Sequence, residues 1–533
     1  MNYFLALDMG GTNLKTALVS EDNINARDWN FEIFSTPSKA SVTDNCDAVA
    51  AALEKTLSEL PPGDQIAAVG ISTAGIVNYA GNGMERVSDH LAALRNPEWI
   101  KKLSDKFSVP VTLINDADAA MIAARYSGLI APEDCCGLLA VGTGVGFSVI
   151  RKSHRIRPGR ELALLGSIRI PGGDYNSLAG LTRLKDSVPN GDLKECFKNH
   201  NGNLEKYLDD LTAIITTAAI LYQIDRILLI GGVVNAAMEC GFDLEAELNL
   251  RLRKPAPELR KPVRVTISGL STKLQLAGAA LLAWGSSNLP SGELPKVAEM
   301  VTEQPLFPGL ELTDIPGTEL AEMLNDAEKQ AAENLSASVN VIGNEAEKIA
   351  EHFRGGGRLI YLGAGTSGRL AALDAVELPC TYGIEESRAV ALVAGGNDDA
   401  ALTIESDGEE DASSVPELLL LDLTPQDTVI GISASGSAYY VRSGISFARQ
   451  CGCRTIMIQE SEIKRVECDC VIALHSGAEL VAGSTRMKAG TATKKALNFL
   501  TTIAMIKLGR TRNSRMSNMM QLNEKLRRRA ETL

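Results

Sequence analysis

The recurrent unit of this sequence is a short apolar run that ends abruptly in glycine and small polar residues. Leu359-Ile360-Tyr361-Leu362 runs into Gly363-Ala364-Gly365-Thr366-Ser367-Gly368, and Thr428-Val429-Ile430-Gly431-Ile432 runs into Ser433-Ala434-Ser435-Gly436. The N-terminal half repeats the pattern at Leu5-Ala6-Leu7-Asp8-Met9-Gly10-Gly11-Thr12-Asn13, at Val141-Gly142-Thr143-Gly144, and at Ile227-Leu228-Leu229-Ile230-Gly231-Gly232. Short continuous apolar runs of this kind fit strands that are covered on both faces. Alternated with helical stretches, they predict parallel sheet under helices, an α/β fold. The 47 glycines suit tight strand-to-helix turns better than a helical bundle.

At about 100–200 residues per domain, a chain of 533 residues predicts three or four domains. Residues 1–285 form one alternating region. The turn cluster Ser286-Ser287-Asn288-Leu289-Pro290-Ser291-Gly292, followed by Pro295, Pro305, Pro308 and Pro316, predicts a linker over 286–317. Residues 318–533 form the second region: a helix over Thr318–Phe353, strands and helices from Arg358 to about Leu508, and a charged helix at the C-terminal end.

The net charge of −13 excludes bulk-charge binding of nucleic acid or an anionic membrane. Local phosphate binding by backbone N–H groups stays open. The ten cysteines are not spaced as zinc CxxC pairs, and the N-terminus reads as a strand rather than a secretory leader. No run is long enough to cross a membrane. These features predict reduced thiols and a cytoplasmic location.

In the second half, the loop at Gly363–Arg369 can aim several N–H groups at one point, and a helix starting at Thr366 or Ser367 adds its positive end. A second hydroxyl-rich loop at Ser433–Gly436 leaves another strand. Ligands of open α/β sheets lie outside the carboxyl ends of strands, so the pair predicts a phosphate site.

From Gly355 through Leu370 the sequence resembles the signature of the bacterial N-acetylmuramic acid 6-phosphate etherases, members of the sugar isomerase (SIS) fold. The likeness continues through Leu373-Asp374-Ala375-Val376-Glu377-Leu378-Pro379 and Ala394-Gly395-Gly396, and through Val429–Gly436 and Gly477–Thr491. It covers roughly residues 298–533. It implies sugar-phosphate binding by Gly365, Thr366, Ser367, Gly368, Ser433, Ser435, Gly436, Ser437 and Ser484. The implied reaction removes a D-lactyl ether from carbon 3 of the sugar with two carboxylates and no cofactor. The first carboxylate falls on Glu377. The second falls on Glu410 in Gly408-Glu409-Glu410-Asp411, with Glu409 as the alternative. Ser437 stands where the etherases usually carry Arg. Pairing of SIS domains implies a homodimer.

In the first half, Asp8 could hold Mg²⁺ through water, while the glycines beside it let an anion approach the backbone. Gly142–Gly144 is a second such hairpin, and Gly231-Gly232 is placed to approach a nucleoside. Asn115-Asp116 ends another strand, where a carboxylate could take a proton from a sugar hydroxyl. Over residues 1–285 this set resembles the ROK-family sugar kinases of the hexokinase and actin-like ATPase fold. The resemblance implies ATP and Mg²⁺, with Asp8, Gly10, Gly11, Thr12, Asn13, Gly142, Thr143, Gly144, Gly231 and Gly232 at the nucleotide and Asp116 as catalytic base. Leu164-Leu165-Gly166-Ser167 replaces the family's Glu-x-Gly-His, its zinc cysteines are absent from Pro171–Tyr175, and His90 stands where many members have Asn.

Together the halves predict a bifunctional amino-sugar salvage enzyme: a kinase making the 6-phosphate and an etherase consuming it. The alternative is a SIS sugar-phosphate sensor that regulates a kinase without turnover.

Overall fold

Arg226–Ile230, Leu359–Gly363 and Thr428–Ile432 are strands in this computed structural model, and Asn2–Met9 opens the chain as another. The structure describes residues 1–533 except 11–12, 38–41, 79–80, 87–97, 132–133, 143, 152–154, 157–164, 166–168, 171–172, 176–178, 181–183, 185–192, 200–201, 254–258, 260, 291–295, 297–299, 397–411, 522–523 and 531–533. The chain divides into two units, Met1–Ser287 with Leu419–Asp422, and Asn288–Leu418 with Leu423–Leu533.

The first unit contains two five-stranded sheets of one design. One has the order Phe34–Pro37, Asn13–Ser20, Asn2–Met9, Gln65–Thr73, Val111–Asn115. Its first three strands are antiparallel and its remaining pairs are parallel. The other, Arg155–Ile156, Val145–Arg151, Cys136–Val141, Arg226–Ile230, Arg264–Ile267, repeats that pattern. The glycine segments fall at equivalent hairpin tips, after the pair Met9/Leu14 in one sheet and Val141/Val145 in the other. The buried helix Leu274–Ser286 lies directly on the first sheet and on helix Asp116–Tyr126. Glycines permit the approach: a Cβ on Gly70 would lie 1.9 Å from the Ala279 carbonyl oxygen, and one on Gly278 1.9 Å from that of Ala119.

The second unit is built on a wholly parallel sheet in the order Ala389–Val393, Leu359–Gly363, Thr428–Ile432, Arg454–Gln459, Cys470–Ala473. The chain leaves Leu359–Gly363 for one neighbour and returns to Thr428–Ile432 on the other side. That reversal opens a crevice at the carboxyl ends of these two strands. Their opposite ends are pinned by Arg358, which reaches Asp427 through its backbone N–H at 2.8 Å and its guanidinium at 2.7 Å. Burial alone would raise the Asp427 pKa; the Arg358 bonds hold it below the ordinary carboxylate value. Helices Val339–Arg354, Gly365–Tyr382 and Lys488–Lys507 share one apolar core with the sheet.

Two expectations change. The helix predicted over Thr318–Phe353 is two, Gly317–Asn334 and Val339–Arg354, broken at Leu335–Ser338. Asn334 and Ser338 donate side-chain hydrogen bonds to the carbonyls of His475 and Ala473, at 2.9 and 2.7 Å, and turn the chain there. Part of the predicted linker also belongs to the second unit. Pro305 bridges to Glu479, the Leu306 N–H donates to the Glu479 carbonyl at 3.0 Å, and the Gly483 N–H donates to that of Thr302 at 2.8 Å.

Candidate active sites

The crevice of the second unit holds a cavity of about 370 Å³. Ala364–Ser367 form one wall, Ser433–Ser435 with Ser437 and Ala438 a second, and Thr485, Ala489, Gly490 and Thr493 a third. Helix Gly365–Tyr382 begins in this cavity, so its first-turn N–H groups, which have no partner within the helix, face the space. The glycines make that start possible. A Cβ on Gly363 would sit 2.6 Å from the Gly368 nitrogen, and one on Gly368 would sit 2.8 Å from the Gly363 carbonyl oxygen. The helix therefore rises directly off the strand end. The second loop is closed by the Gly436 N–H donating to the Ser433 carbonyl at 2.9 Å. It is braced from behind by Arg465, whose Nε donates to the Ser435 carbonyl at 2.7 Å. The Ser435 and Ser437 hydroxyls bond to one another. N–H groups, hydroxyls and a helix N-terminus converging on one space suit a phosphate.

Of the residues expected at the sugar phosphate, Gly365, Thr366, Ser367, Ser433, Ser435 and Ser437 line the cavity. Gly368 and Gly436 shape its walls without lining it. Ser484 does not line the cavity, and its neighbour Thr485 does. Glu377 is also displaced from expectation. It is exposed on the outer face of helix Gly365–Tyr382, twelve residues past Gly365, or about 18 Å at the helical rise, beside the exposed Leu373 and Val376. The partner acid of that motif, Asp374, is buried and accepts from the Tyr361 hydroxyl at 2.8 Å. Burial raises its pKa, against the Tyr361, Lys494 and Thr501 contacts, and it ties the helix to the sheet. Glu409 and Glu410 lie outside the described residues. Sequence reasoning missed Thr302 and Glu303, which line the cavity from the supposed linker.

In the first unit, strand Asn2–Met9 delivers Asp8 into a buried position, where Ser72 Oγ donates to it at 3.2 Å and Lys15 Nζ lies at 4.0 Å. Burial raises the Asp8 pKa, against both neighbours. Asn115 caps helix Asp116–Tyr126 by accepting from the N–H groups of Ala117 and Asp118 at 2.9 and 3.2 Å. This presents Asp116 at the first helical position. Burial, and then the nearby Asp8 charge, push Asp116 up to about 6, while the helix N–H groups pull the other way. Asp118, held by Ser148 Oγ at 2.7 Å, is pushed up to about 7 by burial.

The two hairpin tips close alike. The Gly10 N–H donates to the Asn13 carbonyl at 3.1 Å, and that of Gly142 to the Gly144 carbonyl at 2.9 Å. Gly231, with φ +112, lies so close to this second hairpin that a Cβ would meet the Val141 carbonyl oxygen at 2.4 Å. Helix Gly232–Glu239 starts immediately after it. Gly11, Thr12, Thr143, His90 and most of Leu164–Ser167 lie outside the described residues. Among the described residues no cluster of three acidic, histidine or cysteine ligands is present. Mg²⁺ needs none, since it keeps several waters and takes one or two carboxylates plus the substrate's phosphates. Buried, mutually repelling Asp8 and Asp116 fit such a hard cation.

These two architectures define the class. A doubled sheet with paired glycine hairpins is the actin-like ATPase fold of sugar kinases, and a parallel sheet with hydroxyl loops at its switch point is a SIS domain. The ROK family profile matches residues 4–163, and that of the glucokinase regulatory protein N-terminal SIS domain matches residues 341–449. The N-acetylmuramic acid 6-phosphate etherase of Mycoplasma mycoides is 40% identical over 216 residues, 40% of this chain and 71% of that protein. The enzyme of that name from Shigella flexneri is 40% identical over 235 residues, 43% of this chain and 78% of its own length. A ROK family glucokinase from Streptomyces griseus, solved with glucose and AMPPNP, aligns with a TM-score of 0.44 at 20% identity, covering 53% of this chain and 99% of that one. Through its second half the chain belongs to the N-acetylmuramic acid 6-phosphate etherase family, and its residues 4–163 match the ROK family.

Proposed function

We propose that the second unit cleaves the D-lactyl ether of N-acetylmuramic acid 6-phosphate, and that the first unit makes this substrate by phosphorylating the 6-hydroxyl of N-acetylmuramic acid, or a related amino sugar, with ATP. The cavity at the switch point carries the reading: hydroxyl loops and a helix N-terminus meet there in a member of the etherase family.

The phosphate seats on Gly365–Ser367 and Ser433–Ser437. Ring opening exposes an aldehyde at carbon 1, which acidifies the proton on carbon 2. One carboxylate removes that proton and the other protonates the departing lactate oxygen at carbon 3. Water then adds to the unsaturated aldehyde, giving N-acetylglucosamine 6-phosphate and D-lactate. Glu377 and Glu410, or Glu409 in its place, are the proposed acid and base, each transfer worth about 10²–10⁴ in rate. A homodimer covering Leu373 and Val376 is the arrangement in which Glu377 would reach a cavity, that of a second copy.

In the kinase reaction Asp116 takes the proton from the attacking hydroxyl. Asp8 would hold Mg²⁺ through water; that ion offsets charge on the transferring phosphates. The glycine hairpins and Gly231-Gly232 hold the nucleotide. ATP and phosphosugar substrates make the cytoplasm the proposed location.

Incubation of the whole protein with ATP, Mg²⁺ and N-acetylmuramic acid should release D-lactate, and the 6-phosphate should release it without ATP. Absence of lactate from both would sink the etherase reading. A sensor reading draws on the position of Glu377 away from the cavity wall and on the match to a glucokinase regulatory protein domain. It predicts that a sugar phosphate changes the kinase rate and is recovered intact.

A further inference from the structure

Glu303 is a carboxylate in the wall of the second unit's cavity, and the reaction outlined above does not use it. Its segment is fixed on both sides by the Thr302–Gly483 and Leu306–Glu479 backbone hydrogen bonds. Thr302 Oγ1 donates to Glu303 Oε1 at 3.1 Å. The opposing Gly483 has φ +78, and a Cβ there would stand 2.9 Å from Glu303 Oε2, so glycine at 483 leaves the space the carboxylate occupies. Among the described residues the Glu303 carboxylate has no ion-pair partner, and the hydrogen bond it accepts comes from its neighbour.

The remaining polar lining consists of backbone groups and hydroxyls such as those of Thr366, Ser433 and Thr493. A phosphate dianion held on the helix N-terminus and an anionic carboxylate repel each other, so a phosphosugar seated there by its phosphate would turn its sugar, not its phosphate, toward Glu303. Glu303 therefore marks the sugar end. An ionised carboxylate only accepts hydrogen bonds, and the sugar offers O–H and acetamido N–H donors.

We propose that Glu303 is the residue that reads the sugar, accepting a hydrogen bond from a hydroxyl or the acetamido N–H of the bound phosphosugar. This rests on the phosphosugar reading of the cavity and does not require etherase turnover. The test is calorimetric titration of the full chain with N-acetylglucosamine 6-phosphate and, separately, with inorganic phosphate. Glu303→Gln should weaken the sugar phosphate roughly 10- to 100-fold, the range for a lost hydrogen bond to a charged group. Inorganic phosphate should bind as before or more tightly, because a negative charge has gone. Glu303→Asp should recover part of the sugar-phosphate affinity. Equal weakening of both ligands would mean that Glu303 only braces the loops, and no change in either would mean that it touches nothing; each overturns the proposal. A wild-type protein that binds both equally overturns it as well, since nothing then reads the sugar. A wild-type protein that binds neither removes the phosphosugar reading and this proposal together.

Discussion

Asp116 sets a side chain's chemistry against the stability of the fold that holds it. A base acts only when deprotonated, so a carboxyl at about 6 predicts that kinase kcat/KM falls as pH drops through that value. A pH–rate profile of sugar phosphorylation checks this. Asp116→Asn should cost about 10²–10⁴ in rate and abolish the acid limb. The linked stability effect has the opposite sign. The folded pKa lies above the ordinary carboxylate value of 3.8, so the native state holds more protons between 3.8 and about 6. The cost of the charged side chain therefore grows as pH rises through that window and is full at neutral pH. Asp116→Asn should accordingly stabilise the protein at pH 7.5 by about 3 kcal/mol, with the gain vanishing near pH 4 in thermal unfolding. The strand-end position of Asp116 was legible from the sequence, because Asn115-Asp116 closes an apolar run. Asp118 was not, since its partner Ser148 is thirty residues away on another strand and only folding brings them together.

At the level of elements, the proposed phosphate site is a matter of how closely a helix can start against a strand. Gly363 and Gly368 touch across that start, and a methyl group on either forces them apart. Gly368→Ala should lower the affinity for a sugar 6-phosphate more than tenfold and destabilise the second unit by about 1–3 kcal/mol, the usual range for overpacking. Equilibrium dialysis with glucose 6-phosphate, and unfolding followed in the same preparation, measure the two effects. Kinase activity in the first unit serves as an internal control and should persist. These loops were legible because strand, glycine and hydroxyl are neighbours in sequence. The wall built by Thr302 and Glu303 was not, because its prolines remove the periodicity that marks an element. What holds it is a pairing of Pro305 with Glu479, far along the chain. The helix break at Leu335–Ser338 was hidden for the same reason: the acceptors for Asn334 and Ser338 are carbonyls beyond residue 470. Glu377 had only its family motif to mark it, and its exposed setting beside Leu373 and Val376 is a property of the folded helix face.

At the level of the whole molecule, units with their own cores and two separate sets of groups imply that the chemical steps can be removed one at a time. Asp116→Asn should slow lactate release from N-acetylmuramic acid and ATP by about 10²–10⁴ while leaving release from the 6-phosphate intact. Glu377→Gln should do the reverse in part: ATP is consumed, the phosphosugar accumulates, and no lactate appears from either starting sugar. Mixed together, the two variants should release lactate from the unphosphorylated sugar, because one supplies the 6-phosphate and the other consumes it. Lactate quantified by a D-lactate dehydrogenase assay, with the sugar phosphates followed by phosphorus NMR, resolves each case. The Glu377→Gln result also separates the two readings of the second unit. Under the etherase reading, wild type releases lactate and the variant does not. Under the sensor reading both return the phosphosugar unchanged, and the variant differs, if at all, only in how that sugar alters the kinase rate. Glu377 is exposed on the outer helix face, so a fully folded Glu377→Gln protein is expected, and lost lactate would report on chemistry rather than on stability.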